Sequence, residues 1–384
     1  MNETIQLENA FGLNVYPKRD LVLVKGENAK VWDDEGREYV DCIAGHGVAN
    51  IGHCHPKAIE AISEQARKLI TCPGTFYNDT RARLLEKFVS VAPQNLTRAF
   101  LCNSGAESIE AAIKFARFVT GKTEIVCAMR GFHGRTMGAL SATFNPKYRQ
   151  KFNPLVPGFH FAPFNKFDKW ADKITDKTAA VMVEIVQGEG GVHVGSADFF
   201  HDLQALCREK GILLIVDEIQ TGFCRTGKFF ACEHFDVQPD MMCVAKGVAG
   251  GLPMGAVLCA ENIDIAKGQH GSTFGGNPLV CAAALAAMEV MLSENLAERA
   301  SEKGRRIRQR LSAENLPKIR EIRQIGLMIG IELKEKVQPH LQRLMDDGVL
   351  ALPAGQTVLR LLPPLTISNE EANIVAEKIL TILR

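Results

Sequence analysis

Through the middle of the chain, short uninterrupted apolar runs alternate with stretches whose apolar positions recur every three or four residues. Arg98-Ala99-Phe100-Leu101-Cys102 reads as a strand. Glu107 to Thr120 reads as a helix, with Ile109, Ala112, Ile113, Ala116 and Val119 on one face and Gly121 just past its end. Further strands are predicted at Glu124–Met129, Ala179–Val186, 212–216 and 241–245, and a helix at Phe199–Lys210 is stopped by Gly211. Apolar runs without polar alternation, separated by helices, predict an α/β fold with a parallel sheet covered on both faces. After Asn277-Pro278 the pattern changes to a long Ala-rich helix, Leu279 to about Leu292, and then to charged helical segments with a few short strands. That shift predicts a second, smaller C-terminal domain. Strand candidates Leu21–Lys25 and Lys30–Trp32 are expected to pack with it. The expected division is 1–50 as an N-terminal segment, 51–278 as the large domain, and 279–384 as linker helix and small domain.

A length of 384 residues also exceeds one comfortable core, so composition agrees with two domains. The net charge of +1 and the absence of Lys/Arg runs give no electrostatic case for nucleic acid. Met1–Gln6 lacks the basic and apolar parts of a signal peptide, and no apolar stretch approaches the roughly 20 residues that span a bilayer. The 11 cysteines are scattered, several inside apolar runs (Cys102, Cys127, Cys243, Cys259), which predicts reduced, buried thiols in a cytoplasmic protein. His53-Cys54-His55-Pro56 has no second His/Cys pair at ligand spacing, so no metal is expected, only a loop entering a helix near Pro56.

Candidate chemistry gathers at strand ends. Lys246 follows Met241–Ala245 and precedes the glycine-rich Gly247–Pro253. A lysine there is either a snorkelling structural side chain or a depressed-pKa amine able to condense with an aldehyde. Asp217 and Glu218 end the run Gly211–Val216. If the two strands are parallel, Asp217 and Lys246 emerge at one edge, where open α/β folds bind ligands. A lysine beside an acidic partner for a pyridinium nitrogen is what pyridoxal phosphate requires. Asn103–Ser108 joins a strand to a helix, and Gly105 with the following amides forms a natural phosphate cradle. Read alone it is better explained as a plain strand-to-helix turn with Ser104 as N-cap. In Gly131–Thr136, Phe132 can stack on a ring and Arg135 can hold a carboxylate, or both can be structural. Val183–Gly191 places Glu184 and Glu189 on the same edge.

Asn103–Ser108, Phe132–Thr136, Glu184–Gly191, Asp217–Gly222, Lys246 and Gly271–Pro278 occur together in an order and spacing that resembles the class III, fold type I, pyridoxal-phosphate-dependent aminotransferases. The resemblance runs from about Leu21 to Arg360. Gly45–Asn50, Met129–Phe132, Val349–Leu352 and Val358–Arg360 are similar to the branch of acetylornithine aminotransferases and of aminotransferases acting on carrier-protein-linked aminoadipate semialdehyde. The resemblance implies a large domain with a mostly parallel seven-stranded sheet and a smaller α+β domain. It implies that Lys246 condenses with the cofactor aldehyde and shuttles the proton, and that Asp217 keeps the pyridine nitrogen protonated. Gln220 would bond the ring hydroxyl, Phe132 would cover one ring face, and Ser104, Gly105, Ala106 and Glu184 would complete the cofactor site. Thr273 would reach the phosphate of a neighbouring subunit, which implies a homodimer with shared sites. Arg135, Ser272, Glu189 and Arg360 would bind substrate, the last two as a switchable pair. The chain departs from the family at Ile185, Ala106 and Ser108, which removes a hydroxyl contact to the phosphate while leaving the amide contacts.

The activity so implied moves the terminal amino group of N-acetylornithine, or a related blocked diamino acid, to 2-oxoglutarate in arginine or lysine biosynthesis. Ornithine, 4-aminobutyrate and carrier-protein-linked lysine are alternative amines. An aminomutase is disfavoured by Arg360, and a non-catalytic regulator by the presence of Lys246.

Overall fold

The computed structural model describes residues 2–314 and 316–384. Its largest sheet has seven strands, ordered Leu96–Cys102, Gly255–Ala260, Met241–Val244, Leu213–Asp217, Thr178–Glu184, Glu124–Ala128 and Phe159–Ala162. Only Gly255–Ala260 runs against its neighbours. Leu213–Asp217 is parallel to both Thr178–Glu184 and Met241–Val244, with Asp217 in register with Glu184 and with Cys243. The condition on which the sequence argument rested therefore holds: Asp217, Glu184 and Lys246 leave the sheet at one edge.

The helices form where the sequence supplies both a face and its caps. Gly105–Thr120 starts at Ser104, whose hydroxyl accepts from the Glu107 amide, and stops at Gly121 in the left-handed conformation, φ 68°. Ile109, Ala112, Ile113 and Ala116 on its inner face are buried. Each of the two buried isoleucines contributes about 1.5–3 kcal/mol and each alanine methyl less, while loss of the Ser104 cap would cost about 1 kcal/mol. Ala197–Lys210 uses the same devices, Ser196 at its start and left-handed Gly211 at its end. Thr178–Glu184 is buried at every position, as a parallel strand covered on both faces must be.

Two smaller sheets flank this body. Leu23–Glu27, Lys30–Asp33 and Glu38–Asp41 form a meander whose last strand pairs in parallel with Val349–Leu350, so the start of the chain shares a sheet with its C-terminal part. Ile319–Ile325, Met328–Leu333, Val358–Leu361 and Leu352–Ala354 form an antiparallel sheet in which Arg360 lies opposite Gly330 and Leu352. The Ala-rich helix Pro278–Ser293 packs against Pro56–Lys68 and Asp79–Val91. Among the described residues, no single helix is long and apolar enough to cross a membrane.

All 11 cysteines are free and most are buried. His53 and His55 point to carboxylates: His53 Nε2 lies 2.7 Å from Asp41 Oδ2, and His55 Nε2 lies 3.6 Å from Glu294 Oε1.

Candidate active site

A cavity of about 410 Å³ opens at the edge where the parallel strands end. Ser104, Gly105 and Ala106 line it from one side, Phe132 and His133 from the next loop, and Glu184 and Glu189 from the third. Asp217, Gln220 and Lys246 complete the wall. Ten residues from five separate segments thus meet because five strands end together.

The backbone is shaped closely around this space. Lys246 adopts φ 46°, a left-handed conformation that costs energy for a side-chain-bearing residue, which here turns the chain sharply out of the Met241–Val244 strand. At Gly255 an added Cβ would come within 2.3 Å of the Ser104 carbonyl oxygen. Only glycine lets the antiparallel strand approach the start of the Gly105–Thr120 helix so closely. The amides of Gly105 and Ala106 belong to the first turn of that helix, which presents unpaired donors and the positive end of its dipole.

Charge is arranged as a graded set. The Lys246 amine is held below the ordinary lysine range, first by burial, with Arg360 adding repulsion and Glu189, Asp217 and Glu184 opposing. Glu184 is buried and sits well above the ordinary carboxylate range, because burial and the neighbouring Asp217 both disfavour its ionised form. Its Oε2 accepts from the Phe132 amide at 3.2 Å, a bond that opposes this rise. Asp217 has both oxygens engaged: Oδ2 accepts from His133 Nδ1 at 2.7 Å, and Oδ1 accepts from the Ile219 amide at 2.9 Å. Opposite them, Arg360 Nη2 donates to Glu189 Oε1 at 2.6 Å and Nη1 donates to Gln220 Oε1 at 3.1 Å. Burial would raise the Glu189 pKa, but Arg360 outweighs it and the carboxyl lies below its ordinary range. Among the side chains lining the cavity, two buried atoms lack partners, Gln220 Nε2 and His133 Nε2. Buried donors and acceptors are seldom left so, and both border a space shaped for a polar guest.

The structure brings together Lys246, Asp217, Ser104, Gly105, Ala106, Phe132, Glu184, Gln220, Glu189 and, through its ion pair, Arg360. It does not bring Arg135, Ser272 or Thr273 to the cavity wall. The exposed Arg135 stacks over the Tyr148 ring at 4.0 Å, which itself meets Phe132 edge-on. Ser272 Oγ accepts from Asn103 Nδ2 at 3.1 Å and from the Gly275 amide at 3.0 Å, while Thr273 is exposed.

Two participants were not singled out from the sequence. His133 lies within the Gly131–Thr136 segment, but its role depends on Asp217, 84 positions away. His46 sits in a turn where Ala44, Gly45, His46 and Gly47 all have φ between 47° and 80°. Burial, then the charge of Arg360, hold His46 below the ordinary histidine range, with Lys246 and Arg19 acting in the same direction and Glu189 opposing. The flanking glycines were the available signal, since successive left-handed residues need them.

Comparison with known proteins agrees with this geometry. Residues 14–383 match the family model for aminotransferase class-III. The chain is 51% identical over 369 residues to a [LysW]-aminoadipate semialdehyde transaminase of Deinococcus radiodurans, covering 95% of this chain and 86% of that one. It is 46% identical over 370 residues to an acetylornithine aminotransferase of Methanopyrus kandleri, covering 95% of each. The fold superposes on the ornithine aminotransferase of Toxoplasma gondii with a TM-score of 0.95 at 33% identity, covering 99% of this chain and 94% of that one. With a family match over almost its whole length and a site built at the strand ends to suit, the chain belongs to the class-III aminotransferases.

Proposed function

We propose that this aminotransferase takes the terminal amino group of a blocked diamino acid, of the acetylornithine or carrier-linked lysine type, and delivers it to 2-oxoglutarate. The observation that carries this is the Glu189–Arg360 ion pair facing Lys246 across one cavity. A terminal-amine donor and a dicarboxylate acceptor must use the same space in turn. Free Arg360 would repel the incoming amine, and paired Arg360 would be unavailable to the oxo acid, so a pair that opens serves both.

Pyridoxal phosphate is the cofactor of the family, and the residues present fit it. The helix-start amides suit a phosphate, the unpaired Gln220 Nε2 suits a ring oxygen, and a desolvated lysine stands beside a hydrogen-bonded carboxylate. When bound, the cofactor supplies an aldehyde to receive the amino group and a ring able to delocalise carbanion charge. In our reading Ser104, Gly105 and Ala106 hold the phosphate and Phe132 covers one ring face. Asp217, oriented by His133, holds a proton on the pyridine nitrogen, and Glu184 supports the same wall. Lys246, whose amine burial makes easier to deprotonate, would hold the cofactor's aldehyde carbon and would move the proton at the reacting carbon. Arg135 and Ser272 are assigned to the substrate's distal carboxylate and the mouth of the site.

The exposed Thr273 is assigned to the phosphate of a second copy, which makes the working unit a homodimer, and its free, mostly buried thiols suit the cytoplasm. In it, residues 1–50 and 279–384 form the smaller body beside 51–278. Sedimentation with activity in the same fractions tests this: activity should follow the dimer, and a fully active monomer would contradict it.

The amine is tested by mixing the cofactor-loaded enzyme with acetylornithine, ornithine, 4-aminobutyrate and carrier-linked lysine, and following loss of the cofactor absorbance. The blocked diamino acids should react fastest. Preference for 4-aminobutyrate or free ornithine would overturn the assignment.

A further inference from the structure

Arg225 is fully buried, and every partner described for its guanidinium is a neutral oxygen. Nη1 donates to the carbonyls of Leu327 at 3.0 Å and Pro363 at 2.6 Å, and Nη2 donates to Asn50 Oδ1 at 2.8 Å. Burial lowers its pKa to about 9. A cation placed this deep without a counter-charge is expensive, and an apolar side chain of similar size would fill the space more cheaply. Its retention calls for a geometric reason, and the partners supply one.

Asn50 is bonded at every polar atom of its side chain. Its Nδ2 donates to the Phe223 carbonyl at 2.8 Å, and its main-chain oxygen accepts from the Leu365 amide at 2.8 Å. The Leu327 amide in turn donates to the Arg225 carbonyl at 3.0 Å. Contacts around the hub are too close for any added atom. A Cβ on Gly247, next to Lys246, would lie 2.4 Å from Asn50 Nδ2, and one on Gly326 would lie 2.4 Å from the Arg225 oxygen. Leu327 precedes the Met328–Leu333 strand, and Pro363 follows the Val358–Leu361 strand that carries Arg360. Arg225 itself follows the Gln220–Thr221 part of the cavity wall. The guanidinium fork therefore ties neighbouring ends of the paired Met328–Leu333 and Val358–Leu361 strands to Asn50, which packs on Gly247 beside Lys246.

We infer that Arg225 is a positioning residue for the acceptor half of the reaction, fixing the Val358–Leu361 strand so that the Arg360 guanidinium reaches Glu189 and an incoming oxo acid. The role rests on reading Arg360 as the acceptor clamp. Three acceptors around one planar fork explain why arginine stands here, since a lysine ammonium cannot span them in a single plane.

The test compares wild type, Arg225→Lys and Asn50→Ser as cofactor-loaded enzymes. Single-turnover half-reactions are combined with hydrogen exchange of the peptide containing 358–361. For Arg225→Lys the KM for 2-oxoglutarate should rise about tenfold, while the amine half-reaction changes by less than about twofold. Exchange at 358–361 should quicken, and exchange in the Leu213–Asp217 strand should not. If Arg225→Lys does not fold, Asn50→Ser decides, because it keeps the cation and removes one acceptor. Equal losses in both half-reactions, or wild-type exchange at 358–361, would overturn the inference. If the wild type fails to use 2-oxoglutarate at all, the acceptor assignment falls, and the exchange comparison alone still decides whether Arg225 positions the strand.

Discussion

Asp217 shows how much of this site is decided by one side chain's surroundings. Its place at the end of a buried strand was legible in the sequence, because an acid closing the apolar run 212–216 has few structural uses. What the sequence withheld was His133, which donates to Oδ2 at 2.7 Å and leaves its own Nε2 without a partner. Such a pair depends on the ends of separate strands meeting in space, and no local pattern encodes that. Asp217→Asn should keep the cavity's shape and retain cofactor, yet lose about three or more orders of magnitude in turnover. The lost charge matters most where carbanion character develops. Cofactor titration alongside kcat checks this, and near-normal turnover would place the acid partner elsewhere. Lys246 was legible for a similar reason, as a cation closing an apolar run, although its left-handed backbone at φ 46° was not.

The strands and helices of the large sheet follow the apolar pattern to within a few residues. The predicted Glu107–Thr120 helix is observed from Gly105, since the glycine read as a turn already belongs to the first helical turn. The predicted Ala179–Val186 strand ends at Glu184, and Val186–Gln187 leaves the sheet to pair with His193–Val194. Gly255–Ala260 is not legible as a strand, because it follows the glycine-rich loop at once and its apolar run carries no sign of direction. Between the strand ending at Asp217 and the turn Ala231–Phe235 lies a link of a different kind. Glu218 is fully buried and accepts from the Cys232 amide at 2.7 Å and from the Thr221 hydroxyl. Burial raises its pKa from 4.5 to about 7, against the pull of those donors. The folded form thus keeps a proton that the unfolded chain releases between those values, so stability falls as pH rises through that window and levels off above it. The loss is about 3 kcal/mol at most. Glu218→Gln cannot ionise, so its stability relative to wild type should climb by up to that amount between pH 4.5 and pH 7. Urea unfolding at pH 5 and pH 8 measures it, and a difference that does not change with pH would refute the reading.

At the scale of the whole molecule, the antiparallel C-terminal sheet brings Arg360 to Glu189 at the cavity of the large sheet, and the N-terminal strand Glu38–Asp41 pairs with Val349–Leu350 from the C-terminal part of the chain. The fold class and the line-up of strand ends were legible, because burial dictates both. The approach of Arg360 to Glu189 was not legible from pattern alone, since it joins residues 171 positions apart in sequence. It entered only through the family resemblance. That approach is also what lets one cavity serve two unlike substrates, so it carries the central claim. The direct measurement is a pair of single-turnover half-reactions, amine and 2-oxoglutarate, on Arg360→Ala and Glu189→Ala. For Arg360→Ala the KM for 2-oxoglutarate should rise by roughly two orders of magnitude, a loss of about 3 kcal/mol for a buried charged contact, with the acetylornithine half-reaction much less affected. Glu189→Ala should do the reverse, impairing the amine half-reaction and favouring α-amino donors such as glutamate. Equal losses in both half-reactions for either variant would contradict the account and leave the pair a structural ion pair.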